Sequence, residues 1–261
     1  MSHIVKRNNW QIWKDVIFAL FVREIRTGFN DKFGLAWAVI NPVAFIFVLS
    51  FIRGRLDGGE THTLPTFFFM AFGLLFIQFF LDTLASTSGA MKKSKPLFAF
   101  RQVQPISAVL ASSMFTLLVK VFVALTITLI MYLLGMELRL DNPLLLVTVF
   151  FLLGVVGFSL GLLFAIIICF IPEMKKIQSM MTRPLFFISG VFFSLQDMPK
   201  EMWKYFDWNP ILHAIELARY SAYGSYGDTG VSLSFLSLCA LSLLSLSMSV
   251  YYAYWKQAIS R

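Results

Sequence analysis

The stretch LLLVTVFFLLGVVGFSLGLLFAIIICFI, Leu144 to Ile171, contains neither a charged residue nor a proline. As a helix rising 1.5 Å per residue it is about 42 Å long, more than a hydrocarbon core of roughly 30 Å requires. It reads as a membrane span. Outward from it, five further apolar stretches recur at 35–52, 66–84, 106–134, 184–195 and 232–255. Composition agrees, since 58% of residues are apolar, 16% aromatic and only 14% charged. A soluble chain so built would leave too much apolar surface in water. The expected fold is an all-α polytopic membrane protein, with a cytoplasmic N-terminus over 1–34 and one six-helix transmembrane domain over 35–261.

Lysine and arginine favour alternate gaps. Fifteen lie in the N-terminal segment, the second and fourth gaps and the tail, against six in the remaining gaps, with Lys120 inside a span. The positive excess marks the cytoplasmic side, so both termini are expected inside the cell. A net charge of +8 then speaks for contact with anionic lipid. No basic residue falls in a nucleic-acid-binding motif, and no cleavable signal is evident, because an amphipathic stretch follows the first charges. Cys169 and Cys239 are expected at different depths, which supports neither a disulfide nor a metal cluster.

Before the first span, Trp10 to Thr27 reads as a helix. Trp10, Trp13, Ile17, Leu20 and Phe21 recur at helical spacing, opposite Gln11, Asp15, Ala19, Arg23 and Arg26, while Lys14 and Glu24 interrupt the apolar side. Such a helix suits the cytoplasmic interface, with tryptophans at headgroup depth and arginines near lipid phosphates; packing against a partner subunit is the alternative. The second gap carries Lys92, Lys93, Lys95 and Arg101 with no acid, and adds Pro96, Leu97, Phe98 and Phe100 as apolar anchors. The fourth gap repeats the idea with Pro172, Glu173, Met174, Lys175 and Lys176. Both elements suit docking of a soluble partner.

Only 13 uncharged residues separate Arg183 from Asp197, about 20 Å of helix, too short to cross alone. The outer segment that follows stays rich in aromatics, and Pro199 and Pro210 each stand where a helix can begin. Two short helices are expected to dip back into the membrane over 197–228, or else this is an ordinary outer loop. Re-entrant backbone survives at membrane depth only against protein or a water-filled cavity.

The chain has no Gly-x-x-x-x-Gly-Lys phosphate loop, so ATP-driven work must come from a partner. His3, His62 and His213 share no metal-ligand spacing, and no Gly-x-Ser-x-Gly elbow occurs, so enzymatic chemistry in this chain is not expected. Asp82 and Lys120 fall inside apolar segments. A salt bridge, or a lysine reaching for the interface, is favoured there over a proton relay. Gly157 and Gly161 form a Gly-x-x-x-Gly pair that permits close helix approach. Among 29 phenylalanines, those lining a conduit would offer platforms on which sugar faces slide.

Gly34, Leu35, Trp37 and the Asn41-Pro42 pair in the first span, Arg23-Glu24-Ile25-Arg26 ahead of Phe33-Gly34, and Trp208-Asn209-Pro210 through Arg219 carry a resemblance. Together with the six-span layout, they resemble the permease subunit of type-2 ABC exporters. The chain is most similar to the inner-membrane permease of Gram-negative group 2 capsular polysaccharide export. That resemblance implies a homodimer with two copies of a cytoplasmic ATP-binding subunit, which holds the ATP and Mg²⁺, and a lipid-linked polysaccharide as cargo. It further implies periplasmic and outer-membrane export proteins, because the gaps 53–65 and 135–143 leave no room for a large outer domain. Carried onto this chain, Trp10 to Thr27 is a gate helix, with Trp10, Trp13, Arg23 and Arg26 facing headgroups. Trp37, Asn41, Phe45, Phe187, Phe192 and Ser194 line a channel. Lys92, Lys93, Lys95, Pro96, Leu97, Pro172, Glu173, Lys175 and Lys176 dock the ATPases. Trp208, Asn209, Pro210, His213, Glu216 and Arg219 belong to an outer hairpin motif, the last three read as a structural polar network on one helical face. Export of O-antigen, teichoic acid or small molecules, or a secondary transporter acting without an ATPase, are the alternatives.

Overall fold

The computed structural model describes residues 8–28, 34–56, 60–61, 64–136 and 139–260. Within them the chain is helical: α1 Asn9–Gly28, α2 Gly34–Leu56, α3 Thr66–Lys93, α4 Pro105–Leu133, α5 Pro143–Phe170, α6 Met174–Ile188, α7 Lys200–Trp203, α8 Pro210–Ala222 and α9 Leu233–Ser260. Two-residue strands, β1 Glu60–Thr61 and β2 Leu64–Pro65, pair antiparallel between α2 and α3. Five helices are long and apolar enough to cross a membrane: α3, α4, α5, α9 and, from Ala36, α2.

Helix boundaries follow local chemistry. Proline occupies the first turn of α4, α5 and α8, where its missing N–H costs nothing. Asn142 and Asn209 cap the last two, their side chains accepting from Leu145 N and Ile211 N. At the end of α4, Gly135 takes φ +73°, with Gly135 N bonded to Tyr132 O and Met136 N to Met131 O. These two bonds cap orphan carbonyls in the Schellman arrangement.

The fifth apolar stretch departs from the expectation of a span over 184–195. Helix α6 instead starts at Met174, takes in Lys175, Lys176 and Arg183, keeps Pro184 in its interior and stops at Ile188. Ser189 and Gly190 end it, Gly190 at φ +74°, a conformation that glycine adopts freely. Residues 189–194 then run without regular structure. Helix α3 also continues to Lys93, so Lys92 and Lys93 belong to its last turn rather than to a loop.

Helix α3 and helix α5 form the centre of the bundle. In lipid the hydrophobic effect does not drive one helix against another, so close packing must. Here it comes from glycine: a Cβ at Gly161 would stand 2.6 Å from Thr87 Cβ, and one at Gly157 would stand 3.2 Å from Thr83 Cβ. Helix α4 and helix α2 pack on α3, α9 on α5, and α1 on the N-terminal end of α4. The short α8 is buried almost throughout and wedges among α3, α5 and α9.

Candidate translocation site

Trp37, Asn41 and Phe45, four residues apart on α2, are all exposed and so share one face. Phe45 lies 6.5 Å, ring to ring, from Phe186 at the end of α6. Phe186 in turn meets Phe187 at 5.7 Å and Phe192 at 5.5 Å, and the last two stack at 5.8 Å. Four aromatic rings therefore join α2 to the end of α6 and the irregular segment beyond it. Phe187 keeps 63% of its surface open and Trp37 55%, whereas Phe192 is half-buried. Ser194 is not on this face, which corrects its placement in the channel lining. It is fully buried because its hydroxyl is committed to Glu216.

That commitment belongs to a buried polar clasp. Arg219 Nη1 donates to Glu216 Oε1 at 2.8 Å. Its remaining N–H groups reach three main-chain carbonyls: Phe69 at 3.2 Å, Val191 at 3.0 Å and Phe193 at 3.4 Å. Glu216 Oε2 accepts from the Ser194 and Tyr226 hydroxyls at 3.0 and 2.9 Å. The guanidinium fork thus supplies the donors that the non-helical carbonyls of 189–194 lack, and it does so deep among α3, α6 and α8. Gly73 makes room for it, since a Cβ there would stand 2.8 Å from Arg219 Nη2 and 3.0 Å from Val191 O.

His213 does not share this network, although Glu216 and Arg219 follow it at three-residue spacing. Its Nδ1 accepts from Ser232 N at 3.0 Å, which leaves Nε2 to donate to Asp207 O at 2.7 Å. His213 therefore ties α8 to the start of α9. Asn209 Nδ2 donates to Ser189 Oγ at 3.0 Å, fastening the cap of α8 to the end of α6. Trp208 is exposed, and Pro210 fills the first turn of α8.

At the N-terminal end of α4, α1 lies on its own chain. Leu20 packs with Ala108 and Ala111 of α4, flanked by Leu97 and Phe98 of the short turn Lys95–Ala99 between α3 and α4. Glu24, the residue that interrupts the apolar side, is buried because Lys93 Nζ and Arg23 Nη2 both bind it. Arg23 Nη2 also donates to Ser94 Oγ at 2.9 Å, so much of the guanidinium expected at lipid phosphates is used inside the chain. Burial pushes the Glu24 carboxyl upward, but the hydrogen bonds and charges of Lys93 and Arg23 outweigh it and hold it below the usual range. Trp10 and Trp13 stack at 5.0 Å, Trp10 and Arg26 being exposed. Lys92, Lys95 and Pro172 share the wall of one cleft of about 160 Å³, which brings the two expected docking elements together. Pro96, Glu173, Lys175 and Lys176 are exposed nearby in sequence, Leu97 half-buried. Among the described residues no group of histidine, cysteine and carboxylate could hold a metal ion.

The family model of ABC-2 type transporters matches residues 15–223, from inside α1 to the end of α8. The chain belongs to the ABC-2 type transporter family. Its relatives in that family include the polysialic acid transport protein KpsM of Escherichia coli, 32% identical over 94% of this chain and 95% of the relative. The capsule polysaccharide export inner-membrane protein CtrC of Neisseria meningitidis is 23% identical over 86% of each chain. BexB of Haemophilus influenzae, also named a capsule polysaccharide export inner-membrane protein, is 22% identical over 84% of this chain and 83% of its own. ABC-2 permeases are membrane subunits, and this chain is accordingly a multi-pass inner-membrane protein that is not itself the ATPase.

The sequence alone did not single out Phe186, Gly73 or Ser189. Phe186 sits beside the selected Phe187, and Gly73 is a glycine set among the phenylalanines of α3, where a packing reason is to be looked for.

Proposed function

We propose that this chain is the permease of an exporter that carries lipid-linked capsular polysaccharide across the inner membrane. It works as a homodimer, with the energy supplied by two copies of a separate ATP-binding subunit that carries ATP and Mg²⁺. The similarity to capsule export permeases over nearly the whole chain carries this reading. The open line Trp37, Asn41 and Phe45, continued by Phe187 and Phe192, supports a conduit at the dimer interface. Aromatic faces bind sugar rings while leaving their hydroxyls hydrated.

Helix α6 with residues 189–195 counts as the fifth of six crossings, and α7 and α8 as re-entrant elements capping the exit from outside. Gly73 is seven residues into α3, about 10 Å below its outer end, and it touches both Arg219 and Val191. Irregular backbone at that depth is tolerable only when the protein satisfies it, as the clasp does. Both termini are cytoplasmic, with α1 as the gate helix and the Lys92–Leu97 and Pro172–Lys176 elements as ATPase docks. Periplasmic and outer-membrane partners complete the path.

Deletion of the chain is the test. Loss of surface polysaccharide with polymer retained in the cytoplasm, and copurification of a nucleotide-binding subunit with ATP turnover, are the expected results. An ATP-inert chain that transports in vesicles would establish a secondary transporter instead.

A further inference from the structure

Lys120 Nζ stands 2.6 Å from Asp82 Oδ2, the lysine side chain 3% exposed and the aspartate 58%. Asp82 is sixteen residues past Thr66 on α3, about 24 Å along a helix that crosses a core of roughly 30 Å. It therefore lies within the inner half of the membrane. Exposed positions on α4, such as Leu117, Val121, Leu125 and Leu129, are apolar and suit acyl chains. A carboxylate at that depth does not, because its burial against lipid is costly.

Two further positions on the Asp82 face of α3 are uncovered toward its C-terminal end. Ala85, one turn further along α3, is exposed, and a Cβ at Gly89 would meet nothing within 4 Å. The helix then ends at Lys93, held by Glu24 of α1. Behind Asp82 the contact between α3 and α4 is polar: Ser86 Oγ and Thr116 Oγ1 lie 2.9 Å apart, and Ser112 Oγ donates to Ser86 O. Phe47 of α2 meets Phe67 near the outer end of α3, so the first turn of α2 is level with roughly Phe80. Asp82, Ala85 and Gly89 thus lie along α3 between the level of the first turn of α2 and the Lys93–Glu24 pair.

We infer that Asp82, Ala85 and Gly89 line a water-filled recess, open to the cytoplasm, in which the free side of the Asp82 carboxylate accepts hydrogen bonds from the hydroxyl groups of the glycan. Lys120 is the positioning residue, its ion pair holding the Asp82 side chain in place and aimed outward from the α3–α4 contact. The glycan half of this inference rests on the exporter reading; the water-filled recess does not.

The test is thiol labelling with a membrane-impermeant maleimide in inside-out vesicles. Asp82→Cys and Ala85→Cys are each made in a chain carrying Cys169→Ser and Cys239→Ser, with Leu125→Cys as the lipid-facing control. Ala85→Cys leaves the ion pair intact, which covers the case in which Asp82→Cys fails to fold. Labelling at least about tenfold faster than at Leu125→Cys is expected, slowing several-fold in vesicles from polymer-producing cells relative to cells that make none. Labelling no faster than the control, or indifferent to polymer, overturns the inference. Surface polymer that persists after deletion of the chain defeats the exporter reading, whereas lost polymer with residues 82 and 85 unlabelled defeats only the recess.

Discussion

The guanidinium of Arg219 lies over the ring of Phe69, 3.5 Å from its centroid, while its Nε donates to the carbonyl of the same residue. One residue of α3 thus receives the arginine through both its π face and its backbone. Because the same fork holds Val191 and Phe193, the carbonyls on either side of Phe192 are both positioned from α8 by this side chain. The aromatic face and the buried clasp are thus joined through the backbone of residues 191–193.

Arg219→Lys is accordingly expected to destabilise the protein by about 3–5 kcal/mol, because a point ammonium cannot serve Glu216 and three carbonyls together. The thermal unfolding midpoint in detergent measures it. Pairing Arg219→Met with Glu216→Gln should cost less than the sum of the two, since each single change strands a buried partner. Additive losses would show that the two residues act separately.

Glycine positions separate packing from propensity. Gly161→Ala forces a Cβ against Thr87 and should cost about 1–3 kcal/mol. Gly54→Ala, with nothing within 4 Å, should be neutral or stabilise α2 by about 0.5–1 kcal/mol. Equal effects at the two sites would remove the close α3–α5 approach as the explanation.

Glu24 carries a pH dependence. Its carboxyl is held below the ordinary value by Lys93 and Arg23 despite burial, so its contribution is present above the unfolded-state pKa. It is lost as pH falls through the folded value. Hydrogen-exchange protection of α1 should therefore drop on acidification into that range, and Glu24→Gln should flatten the profile. An unchanged profile in the variant would assign the dependence elsewhere.

Much of this was legible in the sequence because membrane thickness converts directly into run length. Helices α3, α4, α5 and α9 needed little beyond counting uncharged residues. The fifth stretch resisted because its end depends on backbone conformation at Ser189-Gly190, and its start at Met174 is hidden by lysines that an apolar count rejects. Ser194 was misplaced for a related reason. Whether a hydroxyl meets a channel or a buried Glu216 is decided by tertiary contacts, and no spacing encodes those. Glu24 broke the apolar pattern of α1, yet that break was the clue, since one of its two partners, Lys93, lies 69 residues away.

Charge reversal at neighbouring lysines distinguishes docking from folding. Lys92 is exposed on the cleft shared with Pro172, while Lys93 is bound to Glu24. Lys92→Glu should weaken copurification of the ATP-binding subunit and leave the unfolding midpoint nearly unchanged, as surface substitutions generally do within about 0.5 kcal/mol. Lys93→Glu should weaken both, because it sets two carboxylates against each other beside Arg23. Trp37→Ala belongs to the same comparison from the channel side. Its ring is largely open in the protomer, so export should fall several-fold at normal protein level and unchanged ATPase association. If both lysine variants retain the ATPase, the docking surface lies elsewhere on the cytoplasmic face; if Trp37→Ala exports normally, the aromatic line on α2 is not the conduit.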